Sequence, residues 1–448
     1  MNTFYIKTLG CKLNQYDSQV LEEQLCKQHF TRVEDYLSAQ YAIINTCTVT
    51  SRSDYEARRL IRKIKRENPN CFIVVTGCYV QRNPEEIARI DGVNVIVGNE
   101  DRKFIPKIIK EHSIDKMPQI LHKAYTNTEQ AYFYPIRRFT GHTRAFLKIQ
   151  EGCNYNCSYC IVPHVRGRSR SVPSDEILSA IQGLLEKGLK EIVLTGIDIG
   201  DWKEPGLKEK KLLYMLEQIE KIKYPFRIRL SSIEPKEIHK GLMEFIASSA
   251  KVVPHLHIPL QSGSDTILKA MKRPYSRNFY YQMINTLKEK IPDLCLGSDV
   301  VVGFPGEGEQ EFKETYDLID TLSFSYLHVF PFSPRPGTAA ASLKQTETNK
   351  VITDRAKVLR QLAAKKNVQF RSSFMGKELS CLVLTKAKSE GSLIALSNNY
   401  IKINFKGKEE LKNKLITIKI TEVTQKETFG EQISKKKIAS ELKSSMIN

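Results

Sequence analysis

The chain has 448 residues, yet none of its apolar runs reaches the roughly 18 residues that a membrane-spanning helix requires. Its first residues, MNTFYIKTLGCKLN, lack a basic segment followed by an apolar one, so they do not read as a secretory leader. These absences exclude a helical membrane protein and favour the cytoplasm. No internal repeat is visible, which excludes a solenoid. There is a single tryptophan, Trp202; it follows a strand-end loop and reads as packing rather than as a platform for a base. Acid is the scarce charge. Lys and Arg number 69 against 50 Asp and Glu, a net charge of +19.

What is present is enough for several packed cores. Hydrophobic residues make up 41% and charged residues 27%, which rules out disorder as the default, and the length suits about three domains. The positive excess is concentrated toward the end. Residues 349–448 hold 21 basic and 9 acidic residues. Such a surplus favours a polyanionic partner, because neutralising phosphates releases condensed counterions.

Patterning divides the chain into an α/β multidomain protein. Over residues 1–112, short β-rich runs (residues 4–9, 41–45, 72–76 and 94–97) alternate with amphipathic stretches, which predicts a parallel α/β sandwich. Residues 113–143 read as a connector. Residues 144–371 carry six β/α repeats, too few for an eight-fold barrel, so a partial (β/α)6 barrel with a trailing basic helix is expected. That helix bears Lys350, Arg355, Lys357, Arg360, Lys365 and Lys366 against one acid, Asp354, and is expected to extend an RNA-facing surface. Residues 372–430 switch to four short alternating strands, a small antiparallel β-barrel of the size used by RNA-binding modules. Residues 431–448 form a basic tail.

Ten cysteines in a reducing compartment read as ligands, catalytic thiols or buried residues rather than disulfides. Cys153, Cys157 and Cys160 lie within eight residues, in EGCNYNCSYCIVP, just after the first strand of the central block. Three thiolates on one loop can hold one metal or cluster; His164 as a fourth ligand would instead give a closed zinc site. Cys11, Cys47 and Cys78 are far apart in sequence, but each follows a predicted parallel strand. All three therefore belong at the carboxyl edge of one sheet, where such sheets bind ligands. Cys26, Cys71, Cys295 and Cys381 carry no pattern and read as incidental or core residues.

The stretch Cys-x3-Cys-x2-Cys, with Tyr159 before the last cysteine, resembles the signature of radical S-adenosylmethionine (SAM) enzymes. Together with TLGCKLNQYDS, INTCTVT, TGCY, SSIEP, PLQSGSD, DVVVGFPGE and FSPRPGT, it makes nearly the whole chain similar to the radical-SAM methylthiotransferases. The resemblance implies two 4Fe–4S clusters, one on Cys153, Cys157 and Cys160 and an auxiliary one on Cys11, Cys47 and Cys78. It also implies two uses of SAM, to methylate a sulfur and to generate a 5′-deoxyadenosyl radical, and a C-terminal TRAM-like module that grips tRNA. Tyr159, Gly196, Ser232, Glu234, Gln261 and Asp299 are the expected SAM-binding residues. His257 reads as a packed, hydrogen-bonded side chain.

The family implies a tRNA anticodon stem-loop as partner, a flavodoxin- or ferredoxin-like electron donor and a sulfur donor that the sequence does not name. KTLGCKLNQYDS and RGRSRS look more like the branch that acts on N6-threonylcarbamoyladenosine than the isopentenyladenosine branch. Arg166, Arg168 and Arg170 are the candidates for the substrate carboxylate, since a planar fork suits it; Lys365 and Lys366 are candidates for RNA phosphates. A ribosomal-protein substrate and a non-catalytic zinc-containing RNA-binding protein stand as the alternatives.

Overall fold

The computed structural model describes residues 2–111, 118–123, 125, 130–137, 143–387 and 391–433. Most of the expected tail, from residue 434 onward, lies outside them, as does part of the connector.

The N-terminal strands are buried on both faces, and alternation decides which side chain meets which layer of helices. Ala42, Ile44, Ile73 and Val75 pack against Ala57, Ile61 and Ile64 of the helix Ser51–Glu67. Ile43 and Val74 point the other way, toward Leu21 and Leu25 of the helix Lys12–Lys27 and toward Ile105 and Ile109. The resulting sheet is parallel throughout. Its order is Thr31–Arg32, Thr3–Thr8, Tyr41–Thr46, Phe72–Gly77, Val93–Val97 and Gln119–Leu121. The last of these strands comes from the stretch expected to be a mere connector; it pairs with Val95–Val97. The chain runs from Thr3–Thr8 to the short edge strand and then returns to Tyr41–Thr46 on the other side. The strand order thus reverses between these two, which opens a crevice beyond their carboxyl ends.

The central block has six parallel strands in two runs of three. Arg144–Lys148, Glu191–Thr195 and Arg227–Leu230 form one run; His255–His257, Cys295–Val302 and Tyr326–Pro331 form the other. A parallel bridge between Ser232 and His257 joins them, so the expected open (β/α)6 arrangement is observed. Trp202 is fully buried and donates its indole N–H to the Val172 carbonyl (2.9 Å), in agreement with its reading as packing.

The helix Asn349–Ser372 is less RNA-facing than its charge suggests. Ile352, Ala356, Leu359 and Leu362 join the main core. Arg355 is buried and paired with Glu307 and Glu347. Lys366 is also buried, and donates to the carbonyls of Asp320 (2.7 Å) and Leu322 (2.9 Å), satisfying the C-terminal end of the helix Glu309–Thr321. The expectation that Lys366 meets RNA is therefore corrected: its amine is used up by orphan carbonyls. Lys365, like Lys350 and Lys357, is exposed.

The C-terminal module is a closed barrel of five strands rather than four. The fifth, Thr428–Gln432, closes it by one parallel pairing of Asn404 with Phe429; the other neighbours are antiparallel. This barrel is docked by buried charge. Arg227 donates to the Leu396 carbonyl (2.7 Å), and Arg229 to those of Asn398 (3.0 Å) and Ser397 (3.2 Å). Both arginines pair with Glu191, which is wholly buried. Tyr400, in a left-handed backbone conformation (φ 67°), packs against Arg229 and lies 4.2 Å from the His255 ring.

Burial alone would raise the Glu191 carboxyl, but Arg229 and Arg227 overcome it and hold the group down at about 2. A depressed carboxylate stabilises the fold above its unfolded value near 4.5, and that contribution fades as pH falls toward 2. Glu191→Gln strands two buried cations and is expected to cost about 3–5 kcal/mol. Thermal unfolding and protease cleavage ahead of residue 378 would report it, with the wild type's acid sensitivity in that pH window lost in the variant.

Candidate active site at the domain seam

Cys11, Cys47 and Cys78 occupy the crevice edge. Cys11 precedes the helix Lys12–Lys27, Cys47 follows the strand Tyr41–Thr46, and Cys78 opens the helix Cys78–Arg82. Gly10 (φ +97°) explains how two of these loops come so close: a Cβ there would lie 2.7 Å from the Cys47 Cβ and 2.9 Å from its sulfur. The loops are cross-tied by Asn14, whose amide donates to the carbonyls of Leu9 (2.7 Å) and Thr46 (3.0 Å), and by Asn45, which donates to the Asn14 carbonyl (2.9 Å). Burial, followed by the neighbouring Cys78 and Cys11 thiols, pushes the Cys47 thiol up to about 12. Bare thiols so crowded resist ionisation; a bound metal centre deprotonates such ligands outright.

Cys153, Cys157 and Cys160 lie on a loop pinned from behind. The Ser158 amide donates to Met271 (3.0 Å), its hydroxyl to Ala270 (2.8 Å), and its carbonyl accepts from Ala340 (2.7 Å). Tyr159 packs against the buried cluster that contains Val301 and Phe304. Burial and the Cys157 thiol push the Cys160 thiol up to about 12, while Arg273 donates to the Cys157 sulfur (3.2 Å). Three sulfurs with an adjacent guanidinium fit an iron–sulfur cluster, whose thiolate shell is anionic. His164 does not complete a zinc set; it is exposed on the short helix Val162–Arg166.

The two cysteine sets are brought together by packing and by one side chain. Cys78 forms a small cluster with Ile161 and Val165. Arg166, 1% exposed, donates to the Cys78 sulfur (3.3 Å), Asp17 (3.0 Å), Glu151 (2.6 Å) and the Asn14 side chain. Its fork is fully engaged, so the expectation that it meets a substrate carboxylate is corrected. Arg170 is likewise buried, paired with Glu100 (2.9 Å) and beside Glu151. Of the three arginines only Arg168 is exposed; it donates to Asn154 and Asn156 (both 3.3 Å). A cation that the sequence did not single out stands elsewhere. Lys12, next to Cys11, makes no ion pair among the described residues; burial and the charges of Arg144 and Arg229 bring its amine down to about 8.

The expected SAM residues fall around the Cys153 loop and along the neighbouring strand ends. Gly196 leaves room for Gln150, whose Oε1 would be 2.7 Å from a Cβ there and which accepts from the Ile197 and Asp198 amides (both 3.0 Å). Ser232 carries the bridge to His257. Glu234 is paired with Arg273; burial raises its carboxyl and Arg273 opposes this. Gln261 (φ 65°) donates from its amide to the Asp299 carbonyl (2.8 Å), and Asp299 lies 3.1 Å from His257. Two residues were missed. Asp198 is buried with Oδ2 unpartnered, and burial with Glu234 and Glu237 nearby raises its carboxyl well above the usual range. An unmet acceptor among acids suits a ligand with an ammonium group, as SAM has. Arg273 had no motif around it, whereas Asp198 follows a strand end in LTGID and was legible in principle.

Matches to known proteins agree with this geometry. Residues 147–319 match the radical SAM superfamily, and residues 3–98 match the uncharacterised protein family UPF0004. The solved structure of the radical SAM methyltransferase TsrM from Kitasatospora setae, with cobalamin and a [4Fe-4S] cluster bound, shares the fold. Its TM-score is 0.56 at 14% identity, over 76% of this chain and 77% of that one. Fold and site thus define a radical-SAM enzyme with a second cysteine set in its N-terminal domain. The threonylcarbamoyladenosine tRNA methylthiotransferase MtaB of Bacillus subtilis is 38% identical over 94% of both chains, and that of Aquifex aeolicus 38% over 92% of this chain and 99% of the relative. A tRNA-2-methylthio-N(6)-dimethylallyladenosine synthase from Carboxydothermus hydrogenoformans is 33% identical over 94% and 97%. The chain belongs to the radical-SAM methylthiotransferase family.

Replacing Arg166 by Met leaves Asp17 and Glu151 buried without their shared cation, at an expected cost of about 3–5 kcal/mol. Arg166→Lys should recover only part of this, because a point charge cannot bond four groups at once. Calorimetry and iron content per chain would check it, with iron falling toward half as the Cys78 loop loosens.

Proposed function

We propose that this protein is a tRNA methylthiotransferase that places a methylthio group on C2 of N6-threonylcarbamoyladenosine beside the anticodon. The observation that carries the reading is the joining of two cysteine trios across one seam, in a chain whose relatives match it over nearly their whole length. When bound, the two clusters and SAM supply one-electron cleavage at the Cys153 set and sulfur at the Cys11 set, chemistry beyond any side-chain acid or base.

The chain's own residues do the rest. Arg273 and Arg166 donate to a sulfur in each trio and balance its negative charge. Asp198 and Glu234, with Ser232, Gln261 and Asp299 on adjoining strand ends, hold the polar parts of SAM, and Gly196 gives Gln150 room to fix the Asp198 loop. The threonylcarbamoyl group carries a carboxylate, which needs a cation once it leaves water. With Arg166 and Arg170 committed elsewhere, Lys12 takes that role: its amine makes no ion pair among the described residues and feels the charges of Arg144 and Arg229, and an arriving anion relieves that repulsion. Arg168, Lys365 and the exposed lysines of the C-terminal barrel meet the backbone of the anticodon stem-loop. The protein works in the cytoplasm with a flavodoxin- or ferredoxin-like reductant.

Nucleoside mass spectrometry of tRNA from a deletion strain tests the substrate. The 2-methylthio form of threonylcarbamoyladenosine should vanish; loss of the isopentenyl counterpart alone would refute the assignment. Cys47→Ala should lose about half the iron and retain some SAM cleavage, yet transfer no methylthio group, whereas Cys153→Ala should form no 5′-deoxyadenosine. Lys12→Met is expected to raise KM for the threonylcarbamoylated RNA roughly ten- to hundredfold, with SAM cleavage in the absence of RNA unchanged.

A further inference from the structure

The last strand of the open barrel, Tyr326–Pro331, has two unlike faces. Leu327 and Val329 join the main core. Tyr326, His328 and Phe330 point to the opposite, concave face, where Tyr326 crosses Gly297 to hydrogen-bond His255 (3.0 Å) and His257 (3.3 Å). Gly297 is required there, since a Cβ would lie 1.9 Å from the tyrosine ring. His328 continues the row, 5.4 Å from Tyr326 and 5.7 Å from His257, and Phe330 follows at 6.3 Å. The row starts in the interior and ends in solvent: Phe330 is 43% exposed.

Its exposed end lies at the seam. Phe330 is in register with Val301, a member of the buried cluster against which Tyr159 of the Cys153 loop packs. Three residues further on, the Ser333 hydroxyl accepts from the Ser51 amide (3.1 Å), in the segment that leaves Cys47. Phe330 thus stands on the concave face between segments tied to each cysteine set, with His328 as its ring neighbour and much of its own ring in solvent. A target base must leave its stack to reach this seam, and an extruded base is held by stacking on aromatic faces.

We propose that Phe330, continued by His328, is the stacking platform that positions the extruded purine of the RNA substrate between the two cysteine sets. This deepens the tRNA reading and rests on it. The test uses the full chain with both clusters reconstituted and an anticodon stem-loop carrying 2-aminopurine at the target position. Wild type should quench the fluorophore on binding. Phe330→Ala should lose the quench and raise KM for the natural stem-loop roughly ten- to hundredfold, as expected for one lost base stack. Phe330→Tyr should restore both, with iron content, SAM affinity and RNA-independent SAM cleavage unchanged in each variant. Normal quenching and KM in Phe330→Ala would overturn the platform alone. Weakened SAM affinity in that variant would also overturn it, by placing the adenine of SAM on the ring. Wild type that neither binds nor modifies the stem-loop would overturn the tRNA reading together with the platform.

Discussion

The arrangement depends on one buried guanidinium. Arg166 comes from the segment just past the radical-type cysteine loop, yet its partners Asn14, Asp17 and Cys78 belong to the N-terminal sheet domain. Around it Arg102 pairs with Asp17, and Lys148 with Glu151. Charges withdrawn from water this completely are tolerable only when each has its counterpart in place. The network therefore tolerates one relative placement of the two domains, and the separation of the cysteine sets follows from it. Apolar packing of Cys78 on Ile161 and Val165 fills the remaining contact but is not directional enough to set it.

The same economy of charge explains how a chain of net charge +19 distributes its cations. Arg227, Arg229, Arg355, Lys366 and Arg371 are spent on carboxylates and on carbonyls that would otherwise be orphaned. Arg371 alone donates to three carbonyls of the turn before the fifth barrel strand, which locks the trailing helix to the barrel. The C-terminal barrel is thus held on the central block by buried arginines, while Lys402, Lys406, Lys408 and Lys419 stay exposed on it. Cations at depth dock the domains, while those at the surface set the net charge.

Much of this was legible in the sequence. Strand alternation placed both α/β blocks, and Cys11, Cys47 and Cys78 were found because each follows a parallel strand, a position that topology alone makes common to one edge. The fifth barrel strand, Thr428–Gln432, and the edge strand Gln119–Leu121 were not, since TFGEQ and QIL lack the continuous apolar run that marked YAIIN, FIVVT and NVIV. Arg166 and Arg170 were misread for a different reason. RGRSRS looks like a basic exposed patch, and nothing local shows that Asp17, Glu100 and Glu151 wait across the seam.

The sequence by itself determined the chemistry: cysteine spacing on a loop, cysteines at strand ends, and a surplus of base are properties of residue type and period. Tertiary structure decided which charges are buried and paired and which stay exposed. Whether an arginine is a ligand or a strut depends on its desolvation and on partners from elsewhere in the chain, such as Asn14 and Asp17 for Arg166, and neither is encoded in its immediate neighbours. Phe330 is the converse case: within FPFSP no local pattern marks it, and only the open side of a six-stranded barrel leaves it in solvent.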